Sequence, residues 1–186
     1  MNDHDKKLLL DTAKRAIKFG MAENTTLPLD AKEFEPALQQ LRASFVTLHL
    51  DGNLRGCIGT LEACQPLIID VAQNAFSAAF RDPRFPAISQ KEFPKLHYHI
   101  PILTAPSALI FTSEADLLNQ LRPNTDGIII KEGIKRGTFL PSVWEQLPDK
   151  KHFLTQLKLK AGFSPHYWSD NIIIERYEVE NITSNP

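Results

Sequence analysis

Residues 44 to 59 constrain the fold of this chain more than any other stretch. Val46, Leu48 and Leu50 alternate with Phe45, Thr47 and His49; Asp51-Gly52-Asn53 interrupts, and Leu54-Arg55-Gly56-Cys57-Ile58-Gly59 follows. Strand side chains alternate between faces with a period of two, and Asp, Gly and Asn are turn formers, so the pattern predicts an antiparallel hairpin. With all three turn residues in the loop, Leu50 faces Leu54, Leu48 faces Gly56 and Val46 faces Ile58. Every apolar side chain then shares one face. Thr47, His49, Arg55 and Cys57 share the other. A two-residue loop would shift the register and break this agreement, which favours the three-residue turn.

Downstream, residues 66–80 carry Leu67, Ile68, Val71, Ala72, Ala75, Phe76, Ala79 and Phe80 in a broad apolar stripe, the pattern of a central helix. Asp82-Pro83 ends it, because a residue before proline avoids helical conformation. Upstream, Leu9, Leu10, Ala13, Ala16 and Ile17 recur at helical spacing over residues 6–19, with Gly20 as the expected stop. Residues 21–36 have no clean period and contain Pro28 and Pro36, which predicts a connecting loop.

Further along, Tyr98, Ile100 and Ile102 alternate as a strand, and Ser113-Glu114-Ala115-Asp116 resembles a capping box opening a short helix. Strands over 128–131 and 138–140 flank a turn at Gly133; Phe153, Leu154, Leu157 and Ala161 mark a helix ending at Gly162; Ile172 begins a last strand. Mixed elements without regular βαβ alternation favour α+β, mainly antiparallel sheet packed with helices, over a doubly wound parallel sheet. At 186 residues the chain fits a single domain over 1–186, or two intimately packed lobes.

The 21 Lys and Arg against 22 Asp and Glu leave a net charge of −1, so nothing favours a nucleic-acid or membrane surface as partner. Cys57 and Cys64 are too few for a disulfide framework or a structural zinc site. The N-terminus lacks the blocks of a signal peptide, and no apolar run approaches the roughly 20 residues that span a bilayer. A cytoplasmic location is expected. The chain has no Walker loop, dinucleotide fingerprint or three-cysteine cluster, so no cofactor is expected.

The chemistry concentrates near Cys57. Arg55 and Cys57 lie two positions apart, so a regular strand projects both from one face, where a guanidinium favours thiolate over thiol. His49 would supply a base across the hairpin. The competing reading is a small buried cysteine that only packs. Gly56 and Gly59 allow a ligand, or equally a neighbouring helix, to approach closely. Asp82 and Arg84 flank Pro83 in a stiff loop, where Arg84 either presents its fork to a carboxylate or phosphate or pairs internally with Asp82. Arg55, Cys57 and Arg84 are expected to converge on one cleft. His97 and His99 share a strand face, but no further ligands lie nearby, so no metal site is expected. Trp144, Tyr167 and Trp168 line a pocket or pack a core.

Phe45-Val46-Thr47-Leu48, Leu54-Arg55-Gly56-Cys57-Ile58-Gly59, Asp82-Pro83-Arg84-Phe85-Pro86, Leu140-Pro141-Ser142-Val143, Phe153-Leu154 and Lys160-Ala161-Gly162, in that order, resemble the AMME chromosomal region candidate family. In prokaryotes that family is called protein A of the AmmeMemoRadiSam system. The resemblance runs end to end. It implies an α+β fold with a larger lobe built from both chain ends, a smaller inserted lobe and a cleft between them. It also implies association with a Memo-like protein related to extradiol dioxygenases and with a radical S-adenosylmethionine protein, with no reaction securely assigned. Ala87 departs from the second proline of many relatives, which loosens the arginine loop. His97 and His99 replace usually aliphatic or Ser-containing positions, which tells against a family-wide metal role. The expected function is a catalytic or substrate-handling component with Cys57 as candidate catalytic residue and Arg55, Arg84, Thr47, His49 and Asp82 as binding residues. The alternative is a non-catalytic module that docks the Memo-like or radical S-adenosylmethionine partner.

Overall fold

A computed structural model describes residues 1–184 of the chain. In chain order its helices are α1 (Asp3–Glu23), α2 (Pro36–Gln39), α3 (Leu67–Phe80), α4 (Glu114–Gln120) and α5 (Lys150–Lys160). Its strands are β1 (Phe45–Leu50), β2 (Asn53–Gly59), β3 (Leu96–Leu103), β4 (Ser107–Ala108), β5 (Gly127–Glu132), β6 (Lys135–Phe139), β7 (Ile173–Tyr177) and β8 (Val179–Thr183). The fold is α+β. Two compact units emerge: one joins Met1–Leu103 to the segment from Glu180 onward, and the other is the inserted Thr104–Val179.

The first unit holds a sheet in the order β2-β1-β3-β8, with β2 on an edge. Leu9, Ala13 and Ile17 of α1 and Ile68, Val71 and Ala75 of α3 pack with Val46, Leu48, Ile100 and Ile102 from the strands. Each such Leu, Ile or Val side chain, taken fully out of water, contributes about 1.5–3 kcal/mol. Helix α1 does not stop at Gly20. It runs to Glu23 and ends at Asn24, whose φ of 53° and N–H bond to Gly20 form a left-handed cap. Gly20 instead lies against α3, where a Cβ would come within 2.5 Å of the Phe76 ring. The expected loop over 21–36 is correspondingly shorter, and Pro36 opens α2 at a position that needs no N–H donor.

The hairpin turn is also corrected. Leu50 pairs with Asn53, so the loop is the two residues Asp51 and Gly52, at φ 50° and 79°. Positive φ at both positions gives the twist that short hairpins require. The register shift this would cause is cancelled by a bulge: His49 pairs with Leu54 and Leu48 with Gly56, leaving Arg55 as the extra residue. Beyond it the expected pairs Leu48–Gly56 and Val46–Ile58 hold. Leu54 therefore lies opposite His49 and is 41% exposed, rather than joining Val46 and Leu48 on the apolar face.

Asp70 of α3 closes the open end of the hairpin. It is buried and accepts hydrogen bonds from Ser44 N at 2.8 Å, Ser44 Oγ at 2.6 Å, Thr60 Oγ1 at 2.7 Å, Gln65 Nε2 at 3.1 Å and Asn74 Nδ2 at 2.9 Å. A buried carboxylate must be saturated with donors, and these donors lie just before β1, just after β2 and within α3. The beginning and end of the hairpin are thereby fixed to one helix.

The second unit has a sheet in the order β4-β7-β5-β6, packed with α4 and α5 around Leu117, Ile128, Ile130, Phe153, Leu157 and Ile174. Trp144 is a core residue: it stacks on Phe153 with ring centroids 3.6 Å apart and donates its indole N–H to the Asp126 carbonyl at 2.8 Å. Tyr167 and Trp168 are half-buried against the same core. The strand containing Ile173 is not the last, since β8 returns the chain to the first unit's sheet. Among the described residues no helix is long and apolar enough to cross a membrane.

Candidate functional site

Gly56 points toward α3, and a Cβ there would lie 2.1 Å from the Ala78 carbonyl oxygen. Because side chains alternate, its neighbour Cys57 emerges on the opposite face of the sheet. Cys57 pairs with Thr47, whose hydroxyl donates to the sulfur at 3.2 Å. Thr47 pairs in turn with His99, and His99 Nε2 lies 3.0 Å from Asn181 Oδ1. The next row along the same face is Leu54, His49 and His97.

On its outer edge, β2 has no strand neighbour among the described residues, yet the main chain of Cys57 is fully engaged. Its N–H donates to Asp82 Oδ2 at 2.9 Å, and its carbonyl accepts from Arg84 Nη2 at 3.2 Å. Arg84 also grips Asp82 in a fork, Nε to Oδ1 at 2.9 Å and Nη2 to Oδ2 at 2.7 Å, while its backbone N–H donates to Oδ1 at 3.1 Å. Asp82 and Arg84 thus take the place of an adjacent strand at one residue, where an unpaired sheet edge would otherwise be open. The hydrogen bond from Arg84 is the main cause that holds the Asp82 carboxyl well below the usual carboxylate range. Arg84 is raised in return, by Asp82 first and by a smaller attraction to Cys57. Its side chain is still 54% exposed.

Arg55 reaches the same loop by another route. As the bulged residue it is nearly buried, and it donates from Nε to Glu92 Oε1 at 2.8 Å and from Nη2 to the Ala87 carbonyl at 3.4 Å. Its Nη1 is buried without a hydrogen-bond partner among the described residues. The Arg55 hydrogen bond, aided by Ser89, lowers the Glu92 carboxyl to about 2. Both guanidinium groups flank one ring: Arg55 Cζ is 6.0 Å and Arg84 Cζ 5.5 Å from the Phe85 centroid.

Of the expected site residues, Cys57, Thr47, Arg84 and Asp82 are in direct contact. Arg55 shares the Phe85 loop, but its guanidinium serves Glu92 rather than the thiol, because the bulge breaks the regular alternation that would put both on one face. His49 lies in the neighbouring row of the sheet, and the sulfur's hydrogen-bond partner among the described residues is Thr47. Glu92 and Asp70 escaped the sequence reading. Glu92 had a local signal, the Ser89-Gln90-Lys91-Glu92 pattern in which Ser89 N and Oγ now bond the carboxylate at 2.8 and 2.7 Å. Among the described residues no group of three or more His, Cys, Asp or Glu side chains comes together to hold a metal. What the arrangement offers is a half-exposed thiol on a rigid backbone beside a solvent-facing cation, able to hold an anionic or carbonyl group against sulfur.

Comparisons with known proteins converge. A family model described as AMMECR1 matches residues 10–182. A protein of Methanothermobacter thermautotrophicus is 36% identical over 167 residues, 88% of this chain and 85% of its own length. One from Thermotoga maritima is 38% identical over 148 residues, 78% of this chain and 80% of its own. The crystal structure of uncharacterized protein PH0010 from Pyrococcus horikoshii superposes with a TM-score of 0.82 at 28% identity, covering 97% of this chain and 92% of that one.

Proposed function

The chain belongs to the AMMECR1 family, and from that premise we propose that it is a catalytic or substrate-handling component of the AmmeMemoRadiSam system, working at the surface formed by Cys57, Thr47 and Arg84. The observation that carries this reading is the double anchoring of the Cys57 main chain by Asp82 and Arg84. Catalytic and binding groups must be held to a narrow geometry, and backbone locking of this kind leaves the thiol little freedom. Cys57 is then the group that meets the substrate, Thr47 orients its sulfur, and the exposed edge of Arg84 binds a carboxylate or phosphate of the same molecule. Asp82, Arg55 and Glu92 are positioning residues that hold Arg84 and the Phe85 loop.

The test begins with a deletion strain: its accumulated metabolites are profiled, then the strain is complemented with wild type, Cys57→Ser or Arg84→Gln. The proposal expects wild type to clear the accumulated compound and both variants, folded by circular dichroism, to leave it. Full clearance by Cys57→Ser would contradict it.

A second reading rests on a different observation: both arginines are already neutralised by carboxylates, Arg84 by Asp82 and Arg55 by Glu92. That suits a binding module that docks a Memo-like or radical S-adenosylmethionine partner without chemistry at sulfur. It expects Cys57→Ala to complement fully while retaining the partner in co-purification.

A further inference from the structure

In the first unit, Leu96, His97 and Tyr98 of β3 and Ser184 meet Lys14 of α1 at a hollow of about 380 Å³. Lys14 and Lys95 both line it, and Phe93 and Pro94 add apolar surface. A second hollow of about 320 Å³ shares Phe93 and adds Lys18 and Met21, one helical turn further along α1. Each is the size of a small-ligand pocket.

Two features of this groove call for an occupant. First, among the described residues its charge is of one sign: Lys14, Lys18 and Lys95 line it, and no Asp or Glu does. Glu92, adjacent in sequence to Phe93, is spent on Arg55 and Ser89. Like charges gathered around a concavity repel one another and concentrate a positive potential that attracts anions. Second, the Lys14 ammonium is held over the groove's own lining, with Nζ 5.7 Å from the Tyr98 ring centroid. The lysine stems and the Phe93 ring meanwhile offer apolar surface.

We propose that this groove binds a small amphiphilic anion, with a phosphate or carboxylate between Lys14 and Lys95 and an apolar body over Phe93. Binding here does not depend on chemistry at Cys57.

The experiment is a titration of the full chain, followed by two-dimensional amide NMR, with phenyl phosphate, phenylacetate, inorganic phosphate and phenol. The expected result is saturable shifts over residues 93–98 and around Lys14 with phenyl phosphate or phenylacetate, the tighter of the two identifying the head group. Inorganic phosphate and phenol, each lacking half of the ligand, bind more weakly. The doubly substituted Lys14→Gln, Lys95→Gln protein, altered at exposed side chains, loses at least about tenfold in affinity, since hydrogen bonds to charged groups are the strong ones. Shifts that fail to saturate, that persist undiminished in the double variant, or that inorganic phosphate reproduces at equal affinity would overturn the proposal.

Discussion

The Asp82 carboxylate accepts the backbone N–H of Cys57 at 2.9 Å while Arg84 holds its other oxygen at 2.9 Å through Nε. One buried acid therefore governs both the strand edge and the cation beside it. Asp82→Ala would leave the Cys57 N–H and the Arg84 fork without their partner, and is expected to cost about 2–4 kcal/mol, read by urea denaturation. Asp82→Asn, which retains one acceptor, should cost less.

Arg84 is the opposite case, since half its side chain is in solvent. Arg84→Ala is expected to cost less stability than Asp82→Ala, because the buried Asp82 keeps the backbone N–H donors of Cys57 and residue 84, while abolishing complementation. A loss of stability as large as that of Asp82→Ala would mark Arg84 as structural.

The glycines separate close packing from turn geometry. Gly56→Ala drives a methyl into the Ala78 carbonyl at 2.1 Å, backbone that cannot swing aside, and is expected to destabilise by about 1–3 kcal/mol or to prevent folding. Gly52→Ala meets open space but keeps a φ of 79°, costing about 1–2 kcal/mol. Paired thermal melts distinguish the two.

The hairpin and its polar face show what was legible in advance. Alternation over residues 45–50 and the Asp-Gly turn identified both strands, and the Thr47–Cys57 pair follows from the apolar register alone. The turn length was misread because a bulge leaves no period of its own: an extra residue at Arg55 compensates a shorter loop, and only the exposed Leu54 betrays it. Gly20 read as a stop because a glycine that ends a helix and one that lets an aromatic ring approach are the same letter. The partners of Arg55 and Ser44, Glu92 and Asp70, lie 37 and 26 residues away, and such satisfaction of buried charge is decided by tertiary packing.

Acid should reach the Arg55 loop through Glu92. Its carboxyl falls from an ordinary 4.5 to about 2 in the folded state, chiefly through Arg55. A group lowered on folding stabilises the protein fully above its unfolded value and loses that contribution as pH falls through the folded one. The stability difference between wild type and Glu92→Gln is therefore expected to be constant from pH 7 to about 5 and to shrink between about 4.5 and 2. Denaturation curves across that range check it; a difference independent of pH would contradict the assignment.

The central claim is that the Cys57 thiol is accessible in the folded protein and lies in the field of Arg84. In a Cys64→Ser background, which removes the exposed second thiol, the rate of alkylation by anionic iodoacetate is measured against neutral iodoacetamide, with and without Arg84→Gln. The expected result is labelling of Cys57 without denaturant and an iodoacetate-to-iodoacetamide ratio that falls several-fold when the guanidinium is removed. Labelling that begins only at denaturant concentrations that unfold the protein, or a ratio indifferent to Arg84, would contradict the account.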